Sequence, residues 1–362
     1  MRIIQCLVAG VIFLTALPAW PVGLSAYGPE QPVGLADLRP HLGDSESYTE
    51  QWSHGVWTPD GYFIGVDFVI SNLGIGDHKG GFRVELKDPD GKRVECKQDF
   101  DDDEWSSAKQ GFKLTFGAQE LSGDVSGLRL KVRCPKLSAD LVFANAGPAV
   151  KPGSGGLRVE DDGEVEGTYN IVFTSPRANV TGQVVQAGRT IPIAGPGFCD
   201  HSYSDISPEK LARRWFRFKL INPDISIVMA ELEATRDLGS AQRGWILVYD
   251  AQGRVLATAK TRFEYDGYVS QSKDGGYSIP RRLRLVAADG ANTLTGTILM
   301  KGVREIRDPT ANLDGVRRTI VQQFSKPRDY TLDCSYQFQL KQAGQVRELK
   351  GDGYYRFVFV NP

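Results

Sequence analysis

The stretch Tyr62-Phe63-Ile64-Gly65-Val66-Asp67-Phe68-Val69-Ile70 decides how this chain folds, because its large apolar residues recur at alternate positions. A period of two residues places those side chains on one face of an extended strand. The next turn signal, Asp88-Pro89-Asp90-Gly91-Lys92, is typical of a tight hairpin connection. Together the two segments predict antiparallel strands joined by short turns.

Similar segments recur along the chain at intervals of roughly 8–15 residues, a spacing that favours a β-sandwich or a β-barrel. The pattern of strands alternating with long helices is missing from the sequence, which argues against a Rossmann-like sheet. Short helices are predicted over residues 207–213, where a serine precedes a proline, and over residues 312–323. The further predicted strands are 81–87, 111–116, 128–134, 167–173, 215–221, 225–232, 244–249, 283–287, 294–300, 330–340 and 354–360.

The two halves of the chain carry the same landmarks in the same order. Each half has a tryptophan, a Pro-Asp turn, an apolar strand and an Asp-x-x-Gly turn followed by a basic residue, and matched residues lie 162 to 164 positions apart. A period this long exceeds that of a solenoid repeat and indicates a pair of similar domains. The matched pairs are Trp52 with Trp215, Pro59 with Pro223, Asp88 with Asp250 and Gly91 with Gly253.

The amino-acid composition argues against two classes of function, nucleic-acid binding and metal binding. The chain has 362 residues and a formal net charge of −1, which does not favour binding to nucleic acid, since phosphate recognition needs a basic excess. Only four histidines are present, and the cysteine spacings match no zinc pattern, so we expect no metal site and no cofactor.

The N-terminus has the order of a secretory signal peptide. Arg2 precedes an apolar run over residues 7–17, and Pro18 and small residues follow. The run is short for a permanent membrane span, and no other apolar stretch is long enough for one. We expect cleavage between about Ala19 and Ala26 and a periplasmic or secreted protein. The expected domains are residues 1–26 as signal peptide, 27–190 as the first domain and 191–362 as the second.

Four cysteines remain after removal of the signal peptide. Cys96 and Cys134 lie in the first half on strands whose alternation places them on apolar faces. A disulfide between them and two buried free thiols are both compatible with the sequence of an exported protein. The sequence provides no argument for pairing Cys199 with Cys334.

One stretch, where the two halves meet, combines residues that other residue types could not readily replace. It reads Gly195-Pro196-Gly197-Phe198-Cys199-Asp200-His201-Ser202-Tyr203-Ser204-Asp205. Its glycines permit close approach of another backbone segment. The adjacent Asp200 and His201 could act as an acid/base pair, or they could be hydrogen-bonded groups with a structural role. The sequence alone favours the structural interpretation.

The same residues resemble a known signature. The pattern Gly-x-Gly-Phe-x-Asp-His resembles that of the tandem-lipocalin superfamily, in its carotenoid hydratase-like (hydroxyneurosporene synthase-like) branch. Residues 207–216 resemble a segment of the survival-factor-like branch, and residues 69–74, 317–321 and 351–360 are similar to further segments of the superfamily. The resemblance implies an all-β fold of two tandem lipocalin-like (calycin) antiparallel β-barrels.

The resemblance also carries functional expectations. The survival-factor branch is associated with transfer of ceramide or other sphingolipids and with survival of oxidative stress, and other branches act on isoprenoids. Asp200 matches the aspartate implicated as proton donor in the hydratases. Tyr203 and Ser204, however, stand where those enzymes have Trp-Gly.

We therefore expect an exported, non-catalytic protein that binds or carries a hydrophobic small molecule or lipid. One alternative is a hydratase, cyclase or isomerase that acts on an isoprenoid with Asp200 as general acid, and another is a scaffold whose barrels are filled. The oligomeric state stays open. The expected ligand-binding residues are Phe198, Asp200, His201, Tyr203, Arg214 and Trp215, with Gly195 and Gly197 in structural roles.

Overall fold

In a computed structural model, which describes residues 23–25, 28–73, 76–162, 164–270, 277–311 and 326–360, the chain is built almost wholly of β-strands. Residues 1–22 and 26 of the expected signal peptide, the helix expected over 312–323 and the resemblance at 317–321 lie outside these residues. Within the described part, no helix is long and apolar enough to cross a membrane.

The first half forms a 13-stranded antiparallel sheet that curls into a nearly closed barrel. Its strand order is β5-β4-β3-β2-β13-β12-β10-β9-β8-β7-β6, with β11 attached to β12 and β1 attached to β11. A 3-10 helix, Leu35–Leu38, precedes β2. The strands are β1 (Gly23–Leu24), β2 (Thr49–Trp57), β3 (Phe63–Ser71), β4 (Lys79–Lys87), β5 (Arg93–Phe100), β6 (Trp105–Ser107), β7 (Phe112–Phe116), β8 (Gln119–Asp124), β9 (Gly127–Arg133), β10 (Leu137–Asn145), β11 (Gly156–Asp161), β12 (Glu164–Gln186) and β13 (Arg189–Ser204).

The second half forms a nine-stranded sheet of the order β17-β16-β15-β14-β24-β23-β22-β21-β18 and a separate pair, β19-β20. A one-turn helix, α1 (Pro208–Leu211), leads into it with Ser207 at the N-cap position, which agrees with the predicted short helix. The strands are β14 (Ala212–Ile221), β15 (Ile225–Ala234), β16 (Gln242–Asp250), β17 (Gly253–Thr258), β18 (Thr261–Asp266), β19 (Val269–Ser270), β20 (Ser278–Ile279), β21 (Arg282–Asp289), β22 (Asn292–Arg307), β23 (Arg328–Gln342) and β24 (Gln345–Phe359).

The two sheets begin with the same strand arrangement, and the all-β fold of two barrels expected from the sequence is confirmed. In each half a meander of four strands is joined through its first strand to the last strand of that half, β2 to β13 and β14 to β24. Gly91 and Gly253 occupy equivalent turns, β4–β5 and β16–β17, both with positive φ, which a glycine adopts at no steric cost.

The matched tryptophans lie on equivalent strands, β2 and β14, but their side chains face opposite sides of the sheets. Trp52 packs inside the first barrel, whereas Trp215 packs on the outside of the second barrel, and its neighbour Phe216 points inward. Because successive side chains of a strand alternate, an offset of one residue exchanges the two faces. Trp215 therefore does not fill the place that Trp52 fills.

The first sheet extends past the expected boundary between residues 190 and 191. Strand β13 pairs with β12 along its length and with β2 through residues 197–204. Its pairing keeps residues 191–204 in the first barrel. The connection to the second barrel follows, and it contains α1.

A third apolar cluster joins the two barrels. It includes Phe173 and Phe198 from the first barrel and Leu232 and Trp245 from the second. Strand β1 contributes Leu24, whose carbonyl accepts a hydrogen bond from the Arg243 guanidinium of β16 at 2.8 Å. This boundary between the barrels, which we call the seam, is a continuous buried core.

The structure joins Cys96 of β5 to Cys134, just after β9, in a disulfide with a Cα–Cα distance of 6.6 Å. The bridge connects an edge strand of the first sheet to a strand on the other side of the barrel. Cys199 and Cys334 are free and buried.

Candidate functional site

The interior of the first barrel is filled by its own side chains. Aromatic rings from strands on opposite sides meet across it, with Phe68 and Phe116 at 5.4 Å between ring centroids and His54 and Phe143 at 5.7 Å. Such contacts close off the space that a long ligand would occupy. Among the residues described, this barrel has the packed core of a structural domain rather than an open cup.

A polar cluster interrupts this core, and we call Tyr48, Glu50, His41 and His201 the Glu50 cluster. Glu50 on β2 and His201 on β13 are both fully buried. His201 Nε2 lies 2.7 Å from Glu50 Oε1. The Tyr48 hydroxyl donates a hydrogen bond to Glu50 Oε2, and the backbone N–H of His41 donates to Glu50 Oε1 at 3.0 Å. A buried carboxylate is thus surrounded by donors.

The ring of His201 is fixed on two further sides. Its Nδ1 lies 2.7 Å from the backbone carbonyl of Asp37, and its plane stacks on Trp52 at 4.4 Å. A carbonyl oxygen can only accept, so Nδ1 carries a hydrogen. The other ring nitrogen, Nε2, therefore points at Glu50.

The surroundings of Glu50 set its charge. Burial alone would raise the pKa of this carboxyl, but the interactions with His201, His41 and Tyr48 outweigh burial and lower the pKa to about 2. Glu50 is therefore ionised at neutral pH. Burial and the adjacent Glu50 charge raise the pKa of the Tyr48 hydroxyl well above its usual value, so that it remains a donor.

Asp200 and His201 do not act as a pair, because adjacent residues of β13 face opposite sides of the sheet. His201 points into the first barrel, and Asp200 points into the seam, where its carboxylate lies 3.7 Å from Lys219 Nζ. The same ammonium group lies 4.0 Å from the centroid of the Phe198 ring, which is itself buried in the seam.

The other expected ligand contacts also pack against protein. Tyr203 stacks on His41 with ring centroids 4.1 Å apart, beside the Glu50 cluster. Trp215 packs against Tyr169 in the seam at 4.9 Å. The six expected residues are therefore distributed over the first barrel, the seam and the second barrel, and they do not line one pocket.

The two glycines of this stretch allow backbones to approach closely. A Cβ at Gly195 would lie 2.2 Å from the Trp57 carbonyl oxygen, and one at Gly197 would lie 2.3 Å from a methyl carbon of Val180. Neither distance is possible for a real Cβ. The glycines are needed for the packing of β13 between β2 and β12.

A second polar cluster lies inside the second barrel and consists of Arg214, Glu231, Glu233 and Tyr265. Arg214 donates to Glu233 at 2.6 Å and to Glu231 at 3.2 Å, and its guanidinium covers the Tyr265 ring at 4.0 Å. The Tyr265 hydroxyl donates to Glu231 at 2.6 Å. Burial raises the pKa of Glu231, and Arg214 opposes that shift. Arg214 is therefore already paired within the protein.

An open cavity of about 610 Å³ lies against the second sheet, near the start of β21. Two of its residues belong to the rim of the apolar core of this barrel, and two are cationic. We call it the Arg281 cavity. Its lining residues are Val269, Ser270, Arg281, Met300 and Lys301.

Sequence reasoning missed the buried charges that organise both barrels. The sequence does contain a signal for these residues. A charged residue at an inward-facing position of an alternating strand is buried, and it must be paired with another polar group in the core. Glu50 precedes the inward Trp52 in this way, and Glu231 follows the inward Met229. The missed residues are His41, Tyr48, Glu50, Glu231 and Tyr265.

Comparisons with known proteins agree with this architecture. The chain is similar to the structure of a putative AttH from Nitrosomonas europaea, at 14% identity and a TM-score of 0.56, with 92% of this chain and 98% of that chain covered. It is similar to CghA with Sch210972, at 11% identity and a TM-score of 0.60, with 94% and 99% covered. It is also similar to kievitone hydratase from Nectria haematococca, at 12% identity and a TM-score of 0.52, with 93% and 98% covered.

These likenesses establish the fold and confirm the tandem-lipocalin resemblance. No curated protein sequence matches the chain. The sequence profile of the Svf1 family, however, matches residues 55–354, which is most of the chain. The protein therefore belongs to the Svf1 family.

Proposed function

We propose that the protein binds an amphiphilic lipid with an anionic polar end, and that it does so in the Arg281 cavity of the second barrel. The single observation that carries this proposal is the composition of the cavity, in which apolar rim residues and cations lie together. Its volume of about 610 Å³ falls within the range of small-molecule sites, roughly 300–1,000 Å³.

The two cationic side chains of the cavity differ in whether they are already paired with an acidic group of the protein. Lys301 Nζ is paired with Asp352 at 2.5 Å. The Arg281 guanidinium makes no ion pair or hydrogen bond with the residues that the structure describes, and it is exposed. A carboxylate or phosphate could be bound by both guanidinium nitrogens at once. Arg281 is therefore the group proposed to hold the polar end.

The apolar part of the ligand would lie along Val269 and Met300, which pack against the core of the second barrel. Each CH₂ group that leaves water stabilises binding by about 0.8 kcal/mol. A methionine side chain adapts to ligands of different shape. The apolar surface formed by Val269 and Met300 therefore suits a chain of methylene groups better than it suits a compact polar molecule.

A carrier role is favoured over catalysis by the position of Asp200. Its carboxylate lies beside Lys219 in the seam and not among the residues of the Arg281 cavity. The relatives described as CghA with Sch210972 and as kievitone hydratase support a role for this fold in binding organic molecules. The filled interior of the first barrel supports a scaffolding role for that half. We also propose that the protein is exported, on the signal-like order of its first residues, and that cleavage falls in the early part of the expected window, before Gly23, since β1 is bound into the seam.

The test is saturable binding of two fluorescent probes with the same chain, a fatty acid and the corresponding alcohol. Arg281→Gln should weaken binding of the acid about tenfold and leave the alcohol nearly unchanged, because the removed group contacts only the anion. Met300→Trp should weaken binding of both probes by filling the cavity.

The matched control is Arg347→Gln, which removes an exposed arginine of β24 near the opposite end of the strand pair. It should leave both affinities unchanged. The proposal fails if neither probe saturates, or if Arg281→Gln and Arg347→Gln have the same effect. Native mass spectrometry of protein from its own host would then show whether another ligand co-purifies.

A further inference from the structure

Three ligand-type atoms meet inside the first barrel. They are His41 Nδ1, Glu50 Oε1 and His201 Nε2, and all lie within 4.8 Å of one another. They come from a loop, from β2 and from β13, so the fold brings them together over 160 positions of sequence. Two imidazoles and one carboxylate form the ligand set of several catalytic zinc sites.

The orientation of His201 matches that of a metal ligand. A histidine bound to a metal through one nitrogen usually donates its other N–H to a backbone carbonyl or a carboxylate, which fixes the ring. Here Nδ1 is held by the Asp37 carbonyl at 2.7 Å. The Asp37 side chain is in turn paired with Lys151 at 2.6 Å. Nε2 is thereby directed at the centre of the cluster.

Glu50 is anchored in the same manner. Tyr48 donates to Oε2, and the backbone N–H of His41 lies 3.0 Å from Oε1 and 3.1 Å from Oε2. The carboxylate cannot rotate away without losing these hydrogen bonds. Oε1 consequently stays between the two imidazoles.

The hydrogen bonding of His41 also indicates a bound cation, independently of the positions of His201 and Glu50. Its Nδ1 is shielded from solvent and has no well-oriented hydrogen-bond partner among the described residues. It lies 3.4 Å from Glu50 Oε1, within ion-pair distance of that carboxylate. A buried polar atom without a partner costs free energy unless something else satisfies it. A cation between His41 and Glu50 would do so.

The distances are close to those of a tetrahedral site. Ligands at 2.0–2.1 Å from zinc lie about 3.3 Å from one another in a tetrahedron. The separation of His41 and Glu50 is 3.4 Å, and that of His201 and Glu50 is 2.7 Å. The second must lengthen by about 0.6 Å, and the two imidazole nitrogens, which lie within 4.8 Å of each other, must approach by up to about 1.5 Å when a metal replaces the shared hydrogen.

We propose that His41 Nδ1, Glu50 Oε1 and His201 Nε2 bind one zinc ion, with a fourth position left for water or a small ligand. The carboxylate and two neutral imidazoles leave a net charge of +1 on the loaded site. Binding requires a free lone pair on His41 Nδ1 and on His201 Nε2, so any proton held at either nitrogen passes to solvent, while His201 Nδ1 keeps its hydrogen on the Asp37 carbonyl. The sequence disfavoured such a site because four histidines are few, but the fold gathers two of them.

The test is titration of ZnCl₂ into tag-free, chelator-treated protein, followed by calorimetry. One equivalent should bind to the wild type. His41→Gln should weaken binding roughly tenfold or more, and it keeps the bond between His201 and Glu50, so folding is preserved. The matched control His78→Gln replaces a histidine outside the cluster and should bind zinc like the wild type.

A second readout reports the coordination itself. Cobalt chloride should give the visible absorption bands of a four-coordinate site in the wild type and in His78→Gln, and these bands should be lost in His41→Gln. The proposal is overturned if the wild type binds less than one tenth of an equivalent, or if His41→Gln binds zinc as tightly as the wild type. A charged hydrogen bond between His201 and Glu50 would then be the whole role of the cluster.

Discussion

Replacing Arg214 by methionine should destabilise the second barrel strongly, because it leaves a carboxylate buried without its cation. Arg214 is 5% exposed, and it contacts both Glu231 and Glu233. Methionine has a similar length and fills much of the same space, so the change removes charge more than volume.

The expected cost follows from what the variant leaves behind. Removing one partner of a buried ion pair costs about 3–5 kcal/mol. Glu233 retains Arg213 at 2.9 Å, so the loss is concentrated on Glu231, whose Oε1 is already buried without a hydrogen-bond partner among the described residues. The cation–π contact with Tyr265 is lost as well.

The cost should depend on pH in a defined direction. Burial raises the pKa of Glu231 above its unfolded value, and the loss of Arg214 raises it further. A carboxyl with a raised folded-state pKa binds more protons folded than unfolded, so its contribution to stability falls as pH rises. The deficit of Arg214→Met should therefore be larger at pH 8 than at pH 5.

Denaturant unfolding at both pH values measures this. The double variant Arg214→Met/Glu231→Met should recover most of the lost stability, to within about 1 kcal/mol of the wild type, since Glu233 keeps Arg213 and Glu231 no longer leaves an unpaired buried charge. The control Arg213→Met removes a half-exposed arginine of the same strand and should cost at most about 1 kcal/mol. Equal losses for Arg214→Met and Arg213→Met, or no recovery in the double variant, would refute the reasoning.

Three further outcomes are expected. Burial lowers the pKa of His54 to about 4, so stability should fall by about 3 kcal/mol as pH decreases from 6.5 to 4, and His54→Leu should flatten that part of the stability profile. Gly195→Ala should destabilise by more than 3 kcal/mol or prevent folding, since its Cβ would lie 2.2 Å from a backbone oxygen of β2, whereas Gly302→Ala, with no atom within 4 Å of its Cβ, should be nearly neutral in thermal unfolding. Cys96→Ala/Cys134→Ala should lower the free energy of unfolding by about 2–4 kcal/mol under oxidising conditions, and reduction should then have no further effect on the variant.

Much of the architecture followed from local patterns. Alternation alone located β3, and Ile64, Val66 and Phe68 are buried inside the first barrel as that pattern requires. The turn glycines Gly91 and Gly253 fixed the correspondence of the two halves because a hairpin of this kind needs positive φ at one position. Strand alternation and turn geometry depend on residues that are adjacent in the chain, so both can be predicted directly from the sequence.

The candidate sites were harder to predict because they depend on strand pairing between distant segments. The proximity of Asp200 and His201 in sequence suggested one site, whereas alternation separates them to two faces of β13. His201 meets Glu50 only because β13 pairs with β2. The pairing of Arg214 with Glu231 likewise depends on the register between β14 and β15. Local propensity contains no information about either register.

The placement of β1 has a consequence for how the chain reaches its final state during synthesis. Gly23 and Leu24 pair with β11, and Arg243 of the second barrel donates to the carbonyls of Leu24 and Ser25. These early residues leave the ribosome well before either of their binding partners exists. They stay unpaired until β11 has been synthesised, and their hydrogen bonds with Arg243 form later still, so one of the first segments to be translated is among the last to be fully bound. A tag fused directly before Gly23 would be held at the seam and would hinder the binding of β1 there, whereas a tag after the final strand would not.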